Sequence, residues 1–341
     1  MITPPSTDVA ARARQRLNGL ATPPGALGRL GELAVWLAAT TGRVPPPELR
    51  DVRLVIFAGD HGVAAHGVSA YPPAITAAMV RTFLSGKAAV SALARAHGVQ
   101  VRVLDLGVDD DLADVPAAVR RFKVRRGTRP IHIEDAMCSM DTRKALAAGS
   151  AVALDEIAGG AQLLISGDMG IGNTTAAAAM VAAGLGLPAS EVTGRGTGID
   201  DIAMARKTRV VEKALHRVGS RADDPVETLS ALGSADLAAA TGYLATAAEA
   251  GVPVLLDGLM SVACALTAER LAPGAANWFT AGHRSTEPAQ AFALSKLGLE
   301  PILDLNMRLG EGSGAVAAVP VLRSAVTLLR DVALLSEIKP G

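Results

Sequence analysis

Near the C-terminal end of the 341-residue chain, a short apolar run breaks into Asn306-Met307-Arg308-Leu309-Gly310-Glu311-Gly312-Ser313-Gly314. Glycines on both sides of Glu311 let the backbone bend where other residues would clash, and they leave the carboxylate without bulky sequence neighbours. A lone acid on a strand-loop-helix turn suits a general base. Taken alone, the loop favours a plainer reading, a solvated acid or a helix-start charge.

A second loop, Gly167-Asp168-Met169-Gly170-Ile171-Gly172-Asn173-Thr174-Thr175, leads from a strand into a helix. Free backbone N–H groups and the helix dipole favour a phosphate there. The alternative is a glycine-rich turn with Asn173 or Thr174 as helix cap. It is neither a Walker A loop nor a dinucleotide fingerprint, whose glycine order differs. A third, Thr193-Gly194-Arg195-Gly196-Thr197-Gly198-Ile199-Asp200-Asp201, precedes a helix carrying Lys207. That lysine is either a phosphate counter-charge or a surface residue. Asp168 and Asp257 each end a strand, where a carboxylate binds ribose hydroxyls, tunes a neighbouring acid or caps a helix. His61, His66 and His283 fit no metal-ligand spacing and read as hydrogen-bonded loop histidines, so no metal is expected. Ser285, His283 and Asp257 lack the Gly-x-Ser-x-Gly elbow of a hydrolase triad.

These loops need a frame. Half the residues are hydrophobic, enough for a sizeable core. Lys plus Arg balance Asp plus Glu at 33 each, so the charge makes no case for nucleic acid or an anionic membrane. Arg120 to Arg126 is a basic cluster without aromatic interleaving and reads as a solvated face. Two distant cysteines, Cys138 and Cys264, suit a reducing compartment. No apolar signal core and no long uninterrupted apolar stretch suggest export or membrane insertion.

Six apolar runs read as strands: Arg53 to Ala58, Val101 to Leu106, Gln162 to Ser166, Pro253 to Leu256, Asn277 to Ala281 and Pro301 to Leu305. Helical stretches alternate with most of them, including Ala74 to His97 and Ser234 to Glu249. That alternation predicts an α/β fold with a mostly parallel sheet covered on both faces. Thr7 to Leu20, Ala26 to Thr41 and a last helix from Pro320 to Glu337 predict a small helical domain from residues 1–47 and 320–341, beside an α/β domain over 48–319. In such sheets ligands bind beyond the strands' carboxyl ends. Nearly all of the glycine-rich polar loops fall there, while Leu187 to Asp201 reads as a functional loop between helices.

At those loops the chain resembles the nicotinate-nucleotide:dimethylbenzimidazole phosphoribosyltransferase family, which makes the lower-ligand nucleotide of cobalamin. The resemblance runs from Pro24-Gly25-Ala26-Leu27-Gly28-Arg29-Leu30 to the final helix. Its most specific pieces are Gly59-Asp60-His61-Gly62-Val63, Ser69-Ala70-Tyr71-Pro72, the two glycine loops, His283-Arg284-Ser285-Thr286-Glu287-Pro288 and the Glu311 loop. It implies a Rossmann-like six-stranded sheet in a cytoplasmic homodimer whose terminal helices close the partner's site. It places the catalytic base on Glu311 and phosphate contacts on Gly170, Lys207 and Ser285, with Gly172 and Asn173 beside them. It puts two further acids on Asp168 and Asp257, and the base pocket at Ser69 and Leu309. The implied substrates are nicotinate mononucleotide and a benzimidazole-type base, with no cofactor. Two departures stand out. Asp168 replaces a glutamate common in the family, and Pro73-Ala74-Ile75-Thr76-Ala77-Ala78-Met79 lacks the family's two glutamines, one of them near the base pocket. The acceptor base therefore stays open, as do a transferase for another azole, purine or phenol and a non-catalytic nucleotide sensor.

Overall fold

A computed structural model describes residues 1–338; the end of the expected terminal unit, residues 339–341, lies outside them. Six strands form one sheet: β1 (Val52–Gly59), β2 (Val99–Gly107), β3 (Leu163–Met169), β4 (Val254–Leu256), β5 (Phe279–Ser285) and β6 (Pro301–Met307). All neighbouring pairs are parallel, in the order β2-β1-β3-β4-β5-β6. The chain winds outward from β1 to β2, then returns to β3 and proceeds the other way. The switch point lies between the carboxyl ends of β1 and β3, the place where such sheets bind ligands.

The helices are α1 (Thr7–Asn18), α2 (Gly28–Thr41), α3 (Ile75–Leu84), α4 (Ala89–Ala96), α5 (Ala117–Arg120), α6 (Ser139–Ala158), α7 (Asn173–Leu185), α8 (Ala189–Val192), α9 (Asp201–Val218), α10 (Pro225–Leu232), α11 (Ala235–Glu249), α12 (Leu259–Leu271), α13 (Pro288–Leu297) and α14 (Ser313–Asp331). Alternate residues of each strand face opposite sides. Val55, Phe57 and Leu164 join the core under α6, α7 and α9 to α13, whereas Leu54, Ile56 and Ile165 join the core under α1 to α4 and α14. The terminal helices therefore share one hydrophobic core with a face of the sheet. The boundary expected at 319/320 falls inside α14.

Four expectations shift. The helix expected over Ala74 to His97 is two, parted at Ser85-Gly86-Lys87, with Gly86 at φ 71°. The last helix starts at Ser313 rather than Pro320, with the proline inside it. The strand expected from Asn277 starts at Phe279, because Ala275–Trp278 forms a 3-10 turn whose Trp278 indole donates to the Thr3 carbonyl. The run Pro301 to Leu305 has the apolar character of a buried strand, yet β6 is the sheet's edge and exposes Asp304, Leu305 and Asn306. Among the described helices α14 is the one long and apolar enough to cross a membrane. In this fold it packs on α2 and β5, and its Arg323 donates to the Leu49 carbonyl.

Candidate active site

Glu311 belongs to the loop after the edge strand, yet it lies over the centre of the sheet. A Cβ on Gly167 of β3 would reach the Glu311 carbonyl carbon within 2.8 Å, so that glycine admits the loop. Asp257, at the end of β4, anchors it: one carboxylate oxygen accepts the Gly312 N–H and the other the Ala315 N–H, both at 3.0 Å. Those are orphan donors at the start of α14. Asp257 thus caps a helix, though one 55 residues away rather than the one that follows it. Its oxygens hold the loop instead of facing outward.

The anchored loop is strained. Gly310, Glu311 and Gly312 have φ of 81°, 64° and 92°. Glycine takes such angles freely, but a glutamate there costs about 1–3 kcal/mol and needs surrounding structure to hold it. Glu311 is 7% exposed, and its Oε2 has no hydrogen-bond partner among the described residues. Burial raises its pKa, and the Asp257 charge adds to this; the Val90 N–H at the start of α4 pulls the other way. A buried carboxylate oxygen left bare is an acceptor held ready for a proton.

Asp168, at the end of β3, is the second buried acid. Oδ1 accepts from the Asn173 amide at 2.5 Å. Burial holds its pKa well above the carboxylate range, helped by the nearby Asp236 and Asp257 carboxylates. Asp236, in the first turn of α11, instead stays ionised: burial opposes this, but the charge and hydrogen bond of His61 outweigh it, with Nε2 at 3.1 Å from Oδ2. Asp60, just after β1, is buried as well, its pKa raised by burial although Oδ2 accepts the Asp109 N–H.

The expected phosphate side is built differently. Lys207 is fully buried on α9, donating to Thr174 Oγ1 at 2.8 Å and to the Gly194 carbonyl at 2.9 Å. Burial pushes its pKa down to about 8, against the opposing charge of Glu287. Glu287 Oε1 accepts the Gly196 N–H at 2.7 Å, and the Ser285 hydroxyl accepts the Glu287 N–H at 3.3 Å. Lys207, Ser285 and the loop around Gly172 and Asn173 are therefore brought together. The expectation of free N–H groups in that loop is not met at four positions. The Ile171 N–H goes to Thr76 Oγ1, that of Asn173 to the Gly170 carbonyl, that of Thr174 to Asn173 Oδ1 and that of Thr175 to the Gly172 carbonyl. Asn173 faces Asp168, and positive charge at this side comes from Lys207.

Ser69 and Leu309 are joined through the loop between them. Thr197 Oγ1 lies 3.4 Å from Ser69 Oγ and accepts the Ala70 N–H at 3.0 Å. Arg308 spans back to the Gly196 carbonyl, and the neighbouring Leu309 is half-exposed. Of the two alanines near the missing glutamines, Ala77 is buried and Ala78 exposed.

His283 lies 3.6 Å from Asp257, whose oxygens are committed to α14, so no triad with Ser285 forms. Among the described residues no group of three or more His, Cys, Asp or Glu could hold a metal. Sequence reasoning missed Asp236, Thr174, Thr197 and the role of Glu287. Asp236 reads as an ordinary first-turn acid after the Ser234 cap, and nothing local marks it.

A family model described as phosphoribosyltransferase matches residues 2–339. The chain is 52% identical over 336 residues to the nicotinate-nucleotide–dimethylbenzimidazole phosphoribosyltransferase of Mycolicibacterium paratuberculosis, covering 98% of this chain and 96% of that one. It is 51% identical to the protein of that name from Mycobacterium tuberculosis, covering 98% and 92%. The crystal structure of CobT from Thermus thermophilus superposes with a TM-score of 0.93 at 46% identity, over 98% of this chain and all of that one. With this likeness along its length, the chain belongs to the nicotinate-nucleotide–dimethylbenzimidazole phosphoribosyltransferase family.

Proposed function

We propose that this protein moves the 5-phosphoribosyl group from nicotinate mononucleotide to 5,6-dimethylbenzimidazole, giving α-ribazole 5′-phosphate and nicotinate. The observation that carries the reading is Glu311, a buried, bare carboxylate held in a left-handed turn over the switch point. Nicotinate leaves C1′ as a neutral ring nitrogen and needs no proton. The incoming benzimidazole attacks C1′ with its bare nitrogen, and the bond from C1′ to nicotinate breaks. The N–H proton of the new ring then passes to Glu311. The reaction balances with no redox cofactor.

Lys207 and the Ser285 loop anchor the 5′-phosphate, which sets C1′ between the two rings. Gly170 and Gly172 give the ribose phosphate room, and Asn173 holds Asp168 beside the ribose. Ser69 and Leu309 line the base pocket. The buried carboxylates Asp236, Asp257 and Glu311 make a negative floor that favours the positive charge shared by the pyridinium and the ribosyl centre. We further read the protein as a cytoplasmic homodimer in which residues 1–47 and 320–338 close over the partner's site. A groove of about 880 Å³ bounded by Leu17, Leu27 and Trp36 lies in that unit and supports the reading.

The test incubates pure protein with nicotinate mononucleotide and a panel of benzimidazoles, purines and phenols, with products identified by mass. Release of nicotinate with a benzimidazole is expected. No release with any acceptor would overturn the transferase reading, and a phenolic or purine product alone would reassign the acceptor.

A further inference from the structure

We propose that His61 and Asp236 are positioning residues that work through Asp168: His61 Nε2, the Asp236 carboxylate and the Asp168 carboxyl form a buried file that fixes the orientation of the acid beside the ribose. The proposal rests on the transferase reading above and on the place of Asp168 in it.

Three side chains from three distant segments make the file. His61 follows β1, Asp168 ends β3 and Asp236 opens α11. They meet at the switch point, and all are buried, with exposures of 3%, 6% and 1%. His61 Nε2 lies 3.1 Å from Asp236 Oδ2, the Asp236 and Asp168 carboxyls stand close enough to shift one another's proton affinity, and Asp168 Oδ2 has no other hydrogen-bond partner. Asn173 holds the remaining Asp168 oxygen. The backbone is cleared for the file at two places. A Cβ at Gly59 would strike Asp236 Oδ1, and one at Gly170 would come within 2.9 Å of His61 Nε2. Both glycines belong to the most distinctive motifs of the chain, yet neither has positive φ. Gly59 makes space for the Asp236 side chain, and Gly170 makes space first for the Gly59 carbonyl and then for His61.

The order of the file decides where the proton sits. Asp236 faces a histidine on one side and an acid on the other, so it is the member that keeps the negative charge. Asp168 faces no cation, and burial together with the Asp236 and Asp257 carboxylates raises its affinity for a proton. A neutral carboxyl beside the ribose donates or accepts a hydrogen bond without adding charge, and its geometry is locked from behind.

The experiment is a double-mutant cycle between Asp236→Asn and Asp168→Asn, with kcat and KM for nicotinate mononucleotide measured for each and folding checked by circular dichroism and thermal unfolding. The wild-type rate, taken first, tests the transfer itself; the cycle tests only the file. Asp236→Asn is expected to lower kcat about a hundredfold with KM for the nucleotide changed less than about threefold. In the Asp168→Asn background the same substitution is expected to lower kcat by less than about threefold, because the group it acts through is already gone. Should Asp236→Asn fail to fold, the same cycle is run with His61→Gln. Losses that multiply across the cycle, a near-normal rate in folded Asp236→Asn, or a near-normal rate in Asp168→Asn would each overturn the proposal.

Discussion

Glu156 and Glu311 are equally hidden, at 8% and 7% exposure, and sit at opposite ends of one sheet. At the amino end Glu156, near the end of α6, takes Arg53 at 3.3 Å and Arg102 at 2.8 Å, while Arg53 also grips Asp51 at 2.8 Å. At the carboxyl end Glu311 has no cation and one bare oxygen, in a backbone conformation glutamate rarely adopts. The same residue type at the same burial is a fastener in one place and a reagent in the other. A buried charge that is paired resists removal, whereas one left unpaired keeps an affinity for a proton. The contrast repeats within the site itself, where Lys207 is held by two acceptors while Glu311 Oε2 is held by none.

The largest effect is expected at Glu311. Glu311→Gln should cut kcat by about a hundredfold to ten-thousandfold, with calorimetric binding of nicotinate mononucleotide retained and the unfolding midpoint equal or higher. Near-normal turnover would end its assignment as the base. Glu156→Gln should do the reverse, costing about 3 kcal/mol in denaturant unfolding through two weakened arginines while kcat stays within about twofold. A collapse of turnover there, with stability intact, would break the comparison. Asp257→Asn should cost about 2 kcal/mol by loosening the α14 cap and lower kcat about tenfold, since the loop that aims Glu311 depends on it.

The smallest effect is one of pH. Glu311 must be ionised to take a proton, so kcat/KM should rise with pH through its raised pKa. It should fall again through about 8, where Lys207 loses its charge. Lys207→Arg should move only the alkaline limb upward. The stability signs differ. Glu311 binds its proton more tightly folded than unfolded, so its contribution is full below 4.5 and fades as pH rises through the raised value. Lys207 gives up its proton more easily when folded, so stability should gain between about 8 and 10.5. A profile with no acid limb would remove Glu311 from the rate equation.

Much of the frame is legible residue by residue. Continuous apolar runs such as Leu54 to Ala58 have the length and composition of buried strands, and each of the six is followed by Gly, Asp or Asn. Glu311, Lys207 and Ser285 stand out because glycine and polar residues interrupt that pattern. Other features carry no local mark. Pro320 looks like a helix start, but α14 begins seven residues earlier because Asp257, from another strand, supplies its cap. Ala74 to His97 looks like one helix because its composition is uniform. The break at Gly86 turns the start of α4 toward Glu311.

The sequence by itself determined the strands, the glycine-bearing loops at their carboxyl ends and, through resemblance, the family. These depend on local periodicity, on where a chain of L-residues can turn, and on motif order. Only the tertiary structure decided the strand order that gathers β1 and β3 at the switch point, the file of His61, Asp236 and Asp168, and the use of Asp257 as an anchor. Each of these sets residues from distant segments within a few ångströms, and burial then alters their proton affinity, which no stretch of chain carries alone. Glu311 shows both halves: its glycines were visible in the sequence, while its left-handed turn, its burial and its bare oxygen exist only once the loop is pinned over the sheet.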